Sequence, residues 1–182
     1  MNYSDVRAAV VRALAAETIN GIGGCSLEPR VQDDKLKGEI SGKDEAFLVD
    51  CMLHARLRKT LTPDQWFALV AKYSTHVDRK HDVILYLSRC IVSPAPQKFR
   101  DAAVMTWAIP KLPGADGKRS VSVLPPAWYV VANWCDSGRP EPTLYRWRAS
   151  IQRSLGKMVE SGLSAAKDLL HKEGLLISDD AA

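Results

Sequence analysis

Strand signals, cysteine pairs and long apolar runs are what this chain has least of. No apolar stretch approaches the roughly 18 residues of a spanning helix, so no membrane association is expected. The N-terminus has no charged segment followed by an apolar core, which argues against a signal peptide. Four cysteines, Cys25, Cys51, Cys90 and Cys135, lie 26, 39 and 45 residues apart. No pair has the spacing of zinc ligands, and the chain is not small and cysteine-dense as disulfide scaffolds are. Buried free thiols in a reducing cytoplasm are the expectation.

Catalytic signatures are missing too. There is no GxSxG and no HExxH, and no paired carboxylates sit on a helix beside a base. His76 and His81 fall off a common helical face, and His54 and His171 stand alone, so no metal site is expected. The segment Pro113-Gly-Ala-Asp-Gly-Lys-Arg-Ser120 superficially resembles a phosphate-binding loop. That motif needs four residues between its glycine and Gly-Lys, with Ser or Thr directly after. Here two intervene, Arg119 interrupts and no apolar strand precedes. Catalysis and cofactors are therefore not expected.

What the chain does have is helix. Its 182 residues are 46% apolar and 25% charged, enough for a packed core in one domain or two small ones. Val6, Val10, Ala13, Leu14 and Ala16 share one face, and the polar, glycine-rich stretch 20–42 then reads as a long loop that could hold a short hairpin. Over 44–59 a period near 3.6 places Phe47, Leu48, Met52 or Cys51, and Ala55 inside. Thr62-Pro63-Asp64-Gln65 carries a cap, a first-turn proline and a capping-box glutamine. Trp66, Leu69, Val70 and Tyr73 follow as a buried stripe.

Asp78 is the expected cap of a helix with Val83, Leu85, Leu87 and Ile91, broken by Pro94 and Pro96. Another helix spans 96–109 with Phe99, Ala103, Val104 and Trp107. The 110–122 loop has turn signals at Pro113-Gly and Asp116-Gly, and 120–124 alternates like a strand without an evident partner. From Leu144 to Leu170 apolar residues recur at three- and four-residue steps, with Gly174 as the stop. Gly156 and Gly162 inside that helix mark a bend or a close approach. The five tryptophans fall on helix stripes, so core packing is their default.

Net charge is only +4, a weak argument for a polyanion partner. Local charge says more. Residues 97–119 carry five cations against two carboxylates, with Lys111, Lys118 and Arg119 in the loop. From 143 to 157 the ionisable side chains are Arg146, Arg148, Arg153 and Lys157, with no Asp or Glu. A short apolar helix over 127–134, with Trp128, Val130, Val131 and Trp134 for packing, is expected before it. The turn Asp136-Ser-Gly-Arg-Pro-Glu-Pro, containing Arg139, leads to a second helix opened by Thr143.

That outline is a helix-turn-helix DNA reader. Arg146, Ala149, Ser150, Arg153 and Lys157 form one face, and Leu144, Trp147, Ile151 and Leu155 another. Arginine forks suit guanine edges, and Lys157 suits phosphate. The eight-residue turn is longer than the three or four of the tight motif. An ordinary amphipathic helix with solvated arginines is the competing reading.

At Trp128…Trp134-Cys-Asp-Ser-Gly-Arg-Pro-Glu-Pro-Thr-Leu-Tyr-Arg-Trp-Arg-Ala-Ser-Ile-Gln-Arg-Ser-Leu155 the chain resembles phage late-gene antitermination (Q-type) proteins. It is similar, more distantly, to the helix-turn-helix of sigma-factor region 4. The run Asp50-Cys-Met-Leu-His-Ala-Arg-Leu-Arg-Lys59…Trp66-Phe-Ala-Leu-Val-Ala-Lys-Tyr73 has a similar look. The resemblance implies a phage or prophage protein in a bacterial cytoplasm. It would bind near a late promoter, load onto RNA polymerase and let it read through terminators. It implies DNA contacts at Arg146, Arg148, Arg153 and Lys157. Some members carry zinc on cysteine pairs, which this chain lacks.

The expected architecture is all-α with six or seven helices. A helical bundle over 1–109 and a basic linker over 110–123 lead to a helix-turn-helix with a long final helix over 124–182. Expected DNA contacts are Arg146, Arg148, Ser150, Arg153 and Lys157, joined by Lys118, Arg119 and Arg139. Double-stranded DNA is the expected partner, with RNA polymerase and a second copy of the chain as further candidates. The alternative is a helical module that binds only protein, as a phage inhibitor or adaptor does.

Overall fold

The computed structural model describes residues 3–22, 42–113, 120–121, 123–135 and 138–176. Most of the expected 20–42 loop with its hairpin, as well as Cys25, Lys118 and Arg119, lies outside them. Among the described residues six α-helices carry the fold: α1 Val6–Ile22, α2 Gly42–Thr60, α3 Pro63–Tyr73, α4 Val77–Cys90, α5 Gln97–Ala108 and α6 Glu141–Lys172. The protein is an all-α bundle. α1 packs on α2, α3 on α4 and α6, α4 on α5, and α1 and α5 also reach α6. One core runs unbroken from Val10 and Leu53 through Leu69, Leu87 and Phe99 to Leu155 and Leu170. Among the described residues no helix is long and apolar enough to cross a membrane.

Helix ends follow local chemistry. The Thr62 hydroxyl accepts from the Gln65 N–H at 3.4 Å, and the Gln65 side chain accepts from the Thr62 N–H at 3.0 Å. This capping box satisfies two orphan donors with Pro63 in the first turn. In α4 the cap is His76, whose Nδ1 accepts from the Arg79 N–H at 3.4 Å, instead of Asp78, which lies inside the first turn. α6 closes in a Schellman motif: Leu175 N–H donates to the Leu170 carbonyl at 3.0 Å and Gly174 N–H to His171 at 3.1 Å. Gly174 takes φ 64°, the left-handed conformation that motif needs.

The buried face of α2 is not the expected one. Leu53 and Leu57 are buried and Leu61 follows, whereas Leu48 and Met52 are 50% and 56% exposed. Asp50 shares the inner face, three residues before Leu53, and is itself buried. Tyr3 donates its hydroxyl to Asp50 at 2.5 Å, and Arg12 donates to the other oxygen at 2.9 Å. A buried carboxylate is tolerated only when so paired. The Tyr3 backbone N–H also donates to the Leu175 carbonyl at 2.7 Å, so this clasp joins α1, α2 and the end of α6. Arg56 of α2 pairs with Glu173 beside it.

Burial first, then the hydrogen bond to Asp50 and its charge, push the Tyr3 phenol well above its usual 10.0. The unfolded chain therefore ionises first as pH rises past about 10, and stability falls from there at up to ~1.4 kcal/mol per pH unit. Tyr3→Phe lacks this alkaline loss. Its stability deficit in urea unfolding should shrink between pH 9 and pH 11. A deficit that stays constant would mean the phenol ionises as freely folded as unfolded.

The glycines of α6 differ. A Cβ at Gly162 would lie 3.2 Å from the Gln65 carbonyl and from Leu69, so α3 packs close there. The Gln65 amide also donates to Ser161 at 2.9 Å. At Gly156 nothing stands within 4 Å of that position. Gly156→Ala should stabilise by about 0.5–1 kcal/mol through helix propensity. Gly162→Ala should lose about 1–2 kcal/mol, because backbone oxygen cannot move aside as a side chain can. Equal midpoints in urea would refute the close-packing account.

Candidate nucleic-acid interface

Between α5 and α6 the chain departs most from expectation. The apolar helix expected over 127–134 is two single 3-10 turns, Pro126–Tyr129 and Val131–Trp134. Val130 between them is extended, at φ −94° and ψ 108°. Consecutive β-branched Val130 and Val131 lower the α-helical preference where the two turns meet. Val131 and Trp134 are buried, but Trp128 and Val130 stay 41% and 49% exposed. Trp128 therefore departs from the core-packing default. The alternating 120–124 segment finds a partner: Ser120–Val121 pairs antiparallel with Leu112–Pro113.

Trp134 is seated by its indole N–H, which donates to the Trp128 carbonyl at 2.7 Å. Its ring meets Phe99 edge-on at 5.1 Å between centroids, and Trp147 of α6 meets Phe99 at 5.6 Å. Phe99 thus holds both the turn and the helix that follows. Gly138, at φ 59°, redirects the chain into α6. The helix starts at Glu141, two residues before the expected Thr143 cap, with Pro140 as its N-cap. Pro142 fits the first turn, where its missing N–H is no loss.

On α6 the expected division holds. Leu144, Ile151 and Leu155 are buried and Trp147 is half-buried. Arg146, Ala149, Ser150, Arg153 and Lys157 are all exposed. Arg146 to Lys157 spans about 16 Å of helix at 1.5 Å per residue. That matches roughly five base-pair steps at 3.4 Å each. None of these three cations forms an ion pair among the described residues. Arg139 is exposed in the turn ahead of them.

Arg148 does not belong to this stripe. Two residues from Arg146 is about 200° around the helix, so it leaves the opposite side. Its guanidinium carbon sits 5.7 Å from the centre of the Trp134 ring. Lys111 lies over Tyr129 at 5.3 Å. Neither arrangement was legible in the sequence, because the 3-10 turns bring the two aromatic rings into place.

The thiols are unalike. Cys51 and Cys135 are partly buried, while Cys90 is exposed, contrary to the expectation of burial. Burial first and the Asp50 charge second raise the Cys51 thiol above its usual pKa, which disfavours a nucleophile. Among the described residues no three His, Cys, Asp or Glu side chains gather to hold a metal ion. No protein-family model, curated protein or solved structure matches the chain.

Proposed function

We propose that the protein binds duplex DNA through the exposed stripe of α6 and acts in transcription control, as a phage or prophage late-gene antiterminator working on RNA polymerase. One observation carries the DNA reading: Arg146, Ser150, Arg153 and Lys157 share an exposed face with no carboxylate between 143 and 157. The late-gene role rests on the resemblance of the 128–155 segment.

The mechanism is non-covalent. Lys157 and Arg139 neutralise phosphates and release counterions. Arg146 and Arg153 present guanidinium forks to guanine O6 and N7, and Ser150 adds a hydroxyl between them. α3 and α5 pin α6 along its buried side and fix the backbone from which Arg146, Ser150, Arg153 and Lys157 reach.

Selection of the purified protein against random duplex DNA, at about 150 mM salt, tests this. An enriched motif is expected, with affinity that falls steeply as salt rises. Weak binding without enrichment would reduce the stripe to a solvated surface. A protein-binding role would then lead, favoured by the exposed apolar pair Leu48 and Met52 on α2. Charge reversal at Arg146 and Arg153 would leave that activity intact.

A further inference from the structure

We infer that the cleft beneath the second 3-10 turn is an anion site that takes a phosphoryl group. The cleft is about 310 Å³ and is lined by Thr106, Pro110, Lys111, Tyr129, Trp134 and Arg148. It contains two cations and no carboxylate among these described residues. The Arg148 Nε is shut off from solvent and has no hydrogen-bond partner. Arginine stays protonated in proteins, so the charge cannot be shed. A donor nitrogen shut off from water without an acceptor is costly. The faces of Trp134 and Tyr129 attract the two cations but accept only weakly.

The remaining polar groups around the cleft are already committed. Tyr129 donates its hydroxyl to the Ile109 carbonyl at 3.0 Å and accepts from the Leu124 N–H at 3.3 Å. Thr106 donates to the Ala102 carbonyl at 2.8 Å. Binding therefore falls to Arg148 and Lys111. Two cations balance a dianion better than a single carboxylate. A phosphate monoester carries close to two charges near neutral pH and offers three acceptor oxygens. The guanidinium fork can meet two of those oxygens at once. The volume is at the small end for ligand sites, suiting a phosphoryl group with a small substituent. Charge balance favours a free monoester over the singly charged diester of a nucleic-acid backbone. The site is separate from the α6 stripe and does not rest on the DNA reading.

Titration with inorganic phosphate, followed on the side-chain N–H resonances of Arg148 and Trp134, tests the inference. Both should shift saturably, and chloride at matched ionic strength should not reproduce the shift. Lys111→Gln and Arg148→Gln should each weaken phosphate binding by about 10-fold or more. Lys111 is exposed, so its variant keeps the test valid if Arg148→Gln disturbs packing. Shifts that fail to saturate, or an unchanged affinity in Lys111→Gln, would overturn the site. A duplex-binding arm separates the sources. Duplex affinity retained in Arg148→Gln assigns the cleft to a free phosphate ester, and its parallel loss assigns it to a backbone phosphate. Arg146→Ala fails only in the duplex arm, so the two proposals can fail separately.

Discussion

An Arg146→Ala/Arg153→Ala variant will lose at least about 30-fold in affinity for its selected duplex, because each guanidinium fork on a base edge contributes about 1–3 kcal/mol. Its thermal midpoint will stay near that of the parent, since both side chains are exposed and no ion pair is broken among the described residues. Lys157→Ala should behave differently, weakening specific and non-specific duplexes alike and lowering the salt slope by about one. Fluorescence anisotropy across a salt series measures all three. A double variant that binds as the parent does, at every salt concentration, would remove the stripe from consideration as a reader.

The largest stability effect is expected at Phe99. It is 0% exposed and touches both Trp134 and Trp147 edge-on. Phe99→Ala should cost about 3–5 kcal/mol, the transfer term plus the cavity term. In a protein of this length that lowers the thermal midpoint by roughly 10 °C. Near-ultraviolet circular dichroism should weaken as well, because two indole rings lose the surface that orients them. Trp128→Ala is the natural contrast: its side chain is 41% exposed, and its carbonyl, not its ring, holds Trp134. A loss below about 1.5 kcal/mol in Phe99→Ala would mean that the neighbouring rings collapse into the gap.

How far the sequence could be read depended on how local each determinant is. α3 was legible because its cap, proline and glutamine lie within four residues. The C-terminal stop at Gly174 was legible for the same reason. The face of α2 was not, since Asp50 turns inward where Tyr3 and Arg12, 47 and 38 residues away, supply donors. A period counted on apolar residues alone placed Leu48, with Met52 or Cys51, inside.

The first helix of the expected reader breaks at the Val130-Val131 pair, a signal that an apolar count passes over. Arg148 was grouped with its neighbours by charge, although its helical angle already set it apart. The exposed face with Arg146, Ser150, Arg153 and Lys157 needed only periodicity. The cleft around Arg148 needed Tyr129 and Trp134 positioned by the turns, which no pattern in the chain announces.

The clasp of Tyr3 on Asp50 and Leu175 bears on how long the folded state lasts. Its Leu175 half closes a loop of about 170 residues, whose entropic cost must be met before that contact returns anything. Helix pairs such as α1 with α2 and α3 with α4 close far shorter loops and can assemble first. A contact made after the rate-limiting barrier does not hasten assembly, but it slows escape from the native basin. Tyr3 and Leu175 thus form a latch, expected to lengthen the lifetime of the bundle while leaving its rate of formation to the helices between them.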